Sequence, residues 1–209
     1  MRKMLLFLLL LGYSLLASDI EHVREAYSKG DYITAFIIAK SLAVSGDMQA
    51  EYELGKMYYK GEGTDKNVQE AVAWWEKSSE QGYLAAQENL VYIYNSDKEG
   101  TADINKFLYW LKKASHQGSA DMQFLLAYMY SSGEKVVKDD KKAFYWASKA
   151  SEQNHSNAQF ILGYMYCHAF GVAKDLNKCA SLTKHFYLSG NEKAKNMWNE
   201  FSLMNYDIK

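Results

Sequence analysis

The 209 residues carry a net charge of -1 and an isoelectric point near 6.5, which gives no basic field to attract nucleic acid or an anionic membrane. Proline is absent, where an average chain of this length holds about ten, and 15% of the residues are aromatic, 17 of them tyrosine. That bias excludes a disordered chain and suits helices joined by glycine-bearing turns.

In chain order, "MRKMLLFLLLLGYSLLA" sets Arg2 and Lys3 before a 14-residue apolar run from Met4 to Ala17. The run is short for a membrane span and right for a secretory signal, so residues 1–17 are expected to be removed after Ala17. Leu15 stands three residues before that cut, where a small residue is usual. The protein is therefore expected to be exported, periplasmic or secreted in a bacterial cell, with a mature chain that does not span the membrane. No cysteine follows the apolar run to carry a lipid. Residues 18–48, including "VREAYSKGDYITAFIIAKSLAVSGD", come next.

Residues 49–190 repeat with a period of 36. Leu54, Leu90, Leu126 and Leu162 keep that spacing, as do Tyr58, Tyr94, Tyr130 and Tyr166, and Trp74, Trp110 and Trp146. Ala50, Ala86, Met122, Ala158 and Ala194 make another column. A fixed period of this size marks a stacked array rather than a single core. Within each unit the apolar positions come at helical spacing, break at a loop such as "KGEGT", then resume. Gly61, Gly63, Gly133 and Gly171 are placed to end the first helix in the left-handed conformation, and Gly82 and Gly118 close the second. One helix pair leaves an apolar face uncovered, so each unit must bury it against its neighbour. "NEKAKNMWNEFSLM" restarts the first-helix pattern, so residues 191–209 are expected to form a C-terminal capping helix and tail.

The pattern A-x-x-x-L-G-x-x-Y-x-x-G-x-G, followed by K-x-A-x-x-W and K-A-[AS]-x-x-G, resembles the Sel-one-like repeat (SLR), a relative of the tetratricopeptide repeat. "AQFILGYMYCHAFGVAKDLNKCASL" and "DDKKAFYWASKASEQ" carry it most clearly, and residues 18–48 resemble a tetratricopeptide hairpin with a shorter loop, which implies an N-terminal capping unit. The resemblance implies an all-α fold, an α-solenoid of stacked helix-turn-helix repeats wound in a right-handed superhelix. It also implies that the small residue after each column leucine packs on the second helix. Here those pairs are Gly55 with Ala71, Val91 with Phe107, Ala127 with Ala143, and Gly163 with Cys179. The bulk of Val91 and Phe107 leads to the expectation that the second repeat splays its helices.

Small secreted cysteine-rich SLR proteins, which this chain resembles, are described as β-lactamases or penicillin binders, so β-lactam hydrolysis is the alternative function. In those relatives a cysteine of one second helix pairs with another eight residues on. Ser79 with Gln87, Ser115 with Gln123, and Ser151 with Gln159 stand there instead. The S-x-x-K pattern of serine β-lactamases occurs at Ser132 to Lys135 and Ser181 to Lys184, without S-D-N or K-T-G companions. No catalytic residue is assigned. Cys167 and Cys179 flank the loop of the last repeat, and a disulfide would clip that hairpin, although two cysteines in an exported protein do not by themselves establish pairing. Cys179 lies in the alanine column and Cys167 about one turn beyond the column leucine, partly on another face. Cys167, His168, Cys179 and His185 fit no structural zinc spacing, and His22, His116 and His155 are scattered. Neither a metal nor a cofactor is expected.

If the first helices line the inner curve, the positions two before and two after the column leucine point into a groove. They read Tyr52, Glu88, Phe124 and Phe160, then Lys56, Tyr92, Tyr128 and Tyr164, six of eight aromatic, and the following positions add Tyr59 and Asn95. Rings offer large contact area at low entropy cost, and tyrosine keeps a hydroxyl for hydrogen bonding. These residues are the expected binding face of a monomeric scaffold for a protein or peptide, with peptidoglycan or another glycan as the alternative ligand. The same rings could instead pack between repeats as core, and the Lys- and Trp-rich second helices could carry the contact.

Overall fold

A computed structural model describes residues 20–206. The expected signal segment and the last three residues lie outside them. The described chain is helical throughout: α1 (20–28), α2 (Tyr32–Val44), α3 (Met48–Lys60), α4 (Val68–Glu80), α5 (Leu84–Asn95), α6 (Ile104–Gln117), α7 (Ala120–Ser132), α8 (Asp140–Glu152), α9 (Ser156–His168), α10 (Leu176–Leu188) and α11 (Glu192–Glu200). This is an all-α solenoid of stacked hairpins. Two compact units divide within α6, one ending at Trp110 and the other beginning at Leu111. In the first, α2 packs on α3, α3 on α4 and α4 on α5; in the second, each helix from α7 to α11 packs on the next.

From α2 onward the helices begin where a side chain can take up an orphan N–H, except α5, whose capping residue Tyr83 makes no such bond. Asn67, Asp139 and Asp175 accept from the backbone three residues on, and Asp103 accepts from both Asn105 and Lys106. These four N-caps of α4, α8, α10 and α6 are themselves 36 apart. A second column, Asp47, Ser119, His155 and Asn191, caps α3, α7, α9 and α11 in the same way, the imidazole Nδ1 of His155 serving as acceptor. Each loop then closes identically, with the N–H of Asn67, Asp103, Asp139 and Asp175 donating to the carbonyl of Tyr58, Tyr94, Tyr130 and Tyr166. The tyrosine column thus holds the loop by its backbone. Its rings at 94, 130 and 166 are covered by Lys106, Lys142 and Lys178, 4.9 to 5.3 Å from the ring centres. Burial and the hydrogen bond to Glu76 push the Tyr94 phenol up to about 12, and Lys106 bonds the same carboxylate and phenol.

The column leucines and alanines form the core, with Leu54, Leu90, Leu126 and every column alanine at most 1% exposed. Glycine enters for two different reasons. Gly61 and Gly133 end α3 and α7 in the left-handed conformation as expected, but Ala169 does this for α9. Gly63 and Gly171 are left-handed too but lie two residues past the residues that cap α3 and α9, and a Cβ there would also collide with the carbonyl of Tyr32 or Asp140, at the start of the preceding second helix. Val91 and Phe107 are both fully buried, so the second repeat fills with side chains a place that the first and fourth close with glycine.

At two of the positions where the resemblance implies disulfides, this chain has hydrogen bonds. The buried Gln87 amide donates to the Ser79 carbonyl at 3.3 Å, and Gln123 to the Ser115 carbonyl at 3.0 Å, each across eight residues. Glu51 occupies the same column one repeat earlier, buried and accepting from the Gln81 amide at 2.7 Å. Burial pushes its carboxyl above the ordinary 4.5, with Gln81 and Lys77 pulling partly back and Asp47 and Glu80 adding to the rise. A raised carboxylate pKa makes this group's contribution greatest in acid, and that contribution fades as pH climbs from 4.5 through the folded value. Glu51→Gln is therefore expected to stabilise the protein at pH 7. The new amide can donate to the Ala43 carbonyl, as Gln87 and Gln123 do to their counterparts, adding about 1 kcal/mol. Urea unfolding at pH 7 and pH 4 checks this: the gain should be present at neutral pH and shrink in acid.

Candidate functional site

The positions expected to form a binding face separate into two kinds. Those after the column leucine stay open: Tyr92, Tyr128 and Tyr164 are 57%, 46% and 42% exposed. Those before it are partly used in packing. Tyr52 lies 5.0 Å from Tyr83, Phe124 stacks on His155 at 4.7 Å, and Phe160 meets Phe186 edge-on at 5.2 Å. Glu88 is half-buried and Asn95 exposed.

In the first unit, Tyr52, Lys56, Tyr59 and Tyr92 come together around a cleft of about 360 Å³. It opens between α3 and α5, with Trp75 of α4 behind it, Ile93 on its wall and Asn89 beside Tyr92. Lys60 and the turn residues Ser96, Lys98 and Glu99 form its rim. Trp75 is nearly buried, donates its indole N–H to the Tyr52 carbonyl at 3.2 Å and packs 5.5 Å from Tyr59. Burial pushes the Tyr52 phenol up, so it remains a neutral hydroxyl at physiological pH. The Lys60 ammonium, bonded to the Tyr27 hydroxyl, is raised and remains charged. Glu88 and Asn95 lie outside the lining. The rim and Trp75 were not among the expected site residues, although one signal for the rim is visible. "SDKEG" stands where the first repeat has "KGEGT", so Asp97 and Glu99 replace the glycines of the two loop columns.

In the second unit, Tyr164 lies 4.0 Å from His168 and 6.0 Å from Phe170, and His168 stacks on Phe170 and meets Phe201 edge-on at 4.9 Å. Next to it, Cys167 and Cys179 are joined in a disulfide with Cα atoms 5.5 Å apart. Cys167 is fully buried and faces the second helix, not partly another face as its spacing suggested. Of the S-x-x-K serines, Ser132 donates to the Met129 carbonyl and accepts from the Glu134 N–H, and Ser181 donates to the Lys178 carbonyl. Both hydroxyl protons are thus engaged by helix carbonyls. Among the described residues no helix is long and apolar enough to cross a membrane.

Stacked helix pairs with an aromatic, lysine-rimmed cleft on their first helices define a repeat scaffold of the α-solenoid class. The chain belongs to the Sel1 repeat family, whose profile matches residues 49–83, 84–119, 120–155 and 156–184. Sel1 repeats generally mediate protein interactions. The fold is similar to c5321, a protective antigen present in uropathogenic Escherichia coli strains that displays an SLR fold, with 28% identity and a TM-score of 0.74 over 88% of this chain and 40% of that one. It is also similar to a Sel1 repeat protein from Oxalobacter formigenes, at 29% identity and a TM-score of 0.69 over 81% of this chain and 49% of that one. A sel1-like repeat-containing protein of Acanthamoeba polyphaga mimivirus is 50% identical over 42 residues, 20% of this chain and 7% of the viral protein. The chain therefore spans less than half the length of these relatives.

Proposed function

We propose that this protein is an exported Sel1-repeat scaffold that holds a protein partner against its first helices. The observation that carries the reading is the cleft, where four residues of the expected binding face meet around a ligand-sized space. Export is supported by the basic pair and apolar run at the N-terminus and by a disulfide, which persists in oxidising compartments. The exposed Tyr128 and Tyr164 offer the second unit the same amphipathic contact that Tyr92 offers the first.

Photo-crosslinking in the native cell envelope tests this. A benzophenone side chain is placed at Tyr92 in one variant and, in two others, at Tyr109 or Tyr145, tyrosines of second helices that are also more than half exposed. The expected result is a covalent adduct with a discrete protein from position 92 and none from 109 or 145. Adducts only from 109 or 145 would replace the reading with one in which the second helices make the contact.

A further inference from the structure

We infer that the cleft of the first unit takes an acidic peptide segment, with an aromatic side chain among Tyr52, Tyr59 and Tyr92 and a carboxylate against Lys98. This deepens the proposed function and rests on it. The argument is charge complementarity. The whole chain carries a net charge of -1, yet the cleft gathers Lys56, Lys60 and Lys98 against Glu99 alone. Glu99 is itself taken by Lys66 at 3.1 Å, from outside the lining. Lys56 pairs with Glu53 at 2.7 Å, and Lys60 is shared between the Tyr27 hydroxyl at 2.8 Å and Glu62 at 3.6 Å. Lys98 is exposed and, among the described residues, has no carboxylate within ion-pair distance. An incoming carboxylate is the partner that this rim lacks.

The walls select what accompanies the charge. Lys56 lies 5.2 Å from the centre of the Tyr52 ring and Lys66 5.4 Å from that of Tyr59, so these rings are already polarised by cations on one side. The Trp75 N–H is committed to a backbone carbonyl and does not compete for ligand. What remains is apolar ring surface next to a cation, which suits an aromatic side chain one residue from a glutamate or aspartate. The Asn89 side chain lines the same cleft, where it can meet a peptide backbone.

The test is a chemical-shift titration of the isotope-labelled mature chain with four unlabelled probes. They are acetyl-Gly-Phe-Glu-Phe-Gly-amide, its Phe-Lys-Phe and Ala-Glu-Ala counterparts, and tri-N-acetylglucosamine. The expected result is shifts at Tyr92, Ile93 and Lys98 with the Phe-Glu-Phe peptide, at least tenfold tighter than with either counterpart. Lys98→Glu should invert the preference between Glu and Lys peptides while leaving the thermal midpoint in place, and the preference should shrink in added salt. Equal affinity for the Glu and Lys peptides overturns the acidic assignment and leaves the cleft as a peptide site. Shifts from the sugar alone overturn both in favour of a glycan, and no shift at the cleft from any probe overturns both outright.

Discussion

Reduction of the Cys167–Cys179 disulfide is expected to lower stability by about 3 kcal/mol, the loop-closure entropy of a bridge across roughly a dozen residues. The bridge lies in a core of Ala180, Met197, Trp198 and Leu203, so it joins the last hairpin where α11 docks. Thr183 extends that connection: its hydroxyl donates to the Cys179 carbonyl at 2.7 Å and accepts from the Trp198 indole at 2.8 Å. In a linear array, loss at one end frays inward from that end. Hydrogen exchange of the Cys167→Ala/Cys179→Ala variant should therefore show lost protection in α9, α10 and α11 and unchanged protection in α3 and α4. The thermal midpoint of the wild type should fall by roughly 6–12 °C in dithiothreitol, and that of the variant should not move. Reduced wild type with an unchanged midpoint would show that the clip adds nothing to the packing around it.

The period was readable because one physical need recurs in every repeat. A leucine must fill the hairpin, an alanine must let the helices approach, and a tyrosine carbonyl must close the loop, so the same residue types return every 36 positions. The cap column Asn67, Asp103, Asp139 and Asp175 obeys the same logic. What periodicity could not reveal lies where repeats depart from one another. Cys167 shares its column with Tyr59, Asn95 and Ser131, and nothing in that series says that the position faces the second helix. The structure shows that it does, since Tyr59 packs on Trp75 and Cys167 bonds Cys179. The open rings at 92, 128 and 164 and the packed rings at 52, 124 and 160 were likewise indistinguishable by type. At 52, 124 and 160 the ring packs against Tyr83, His155 or Phe186, whereas Tyr164, although beside His168 of its own helix, stays 42% exposed. The cleft itself comes from an exception, the glycine-poor turn at 96–99 that brings Lys98 and Glu99 to its rim.

Gly55→Ala is expected to destabilise the first unit by about 2 kcal/mol and to weaken the proposed binding at the cleft. Alanine gains about 1 kcal/mol of helix propensity, but its Cβ would sit 2.5 Å from the Trp75 ring and 3.1 Å from the Ala71 carbonyl. Ala71 belongs to a helix that cannot yield locally, so the indole must turn away, losing its bond to Tyr52 and its place behind the cleft. Overpacking of this kind costs about 1–3 kcal/mol, and the lost hydrogen bond about 1 more. The deciding partner is thus the residue twenty positions on, not the alanine sixteen positions on that resemblance suggested. Two repeats later the same two columns hold Ala127 and Ala147, both fully buried, and there alanine is tolerated because no indole faces it. A double-mutant cycle isolates the effect. Trp75→Ala alone should cost about 3–5 kcal/mol by leaving a cavity. Gly55→Ala added to it should cost nothing further and restore up to about 1 kcal/mol, because the clash with the indole is gone and only the 3.1 Å approach to the Ala71 carbonyl opposes the gain in helix propensity. An equal loss from Gly55→Ala in both backgrounds would mean that the backbone, not the indole, requires the glycine.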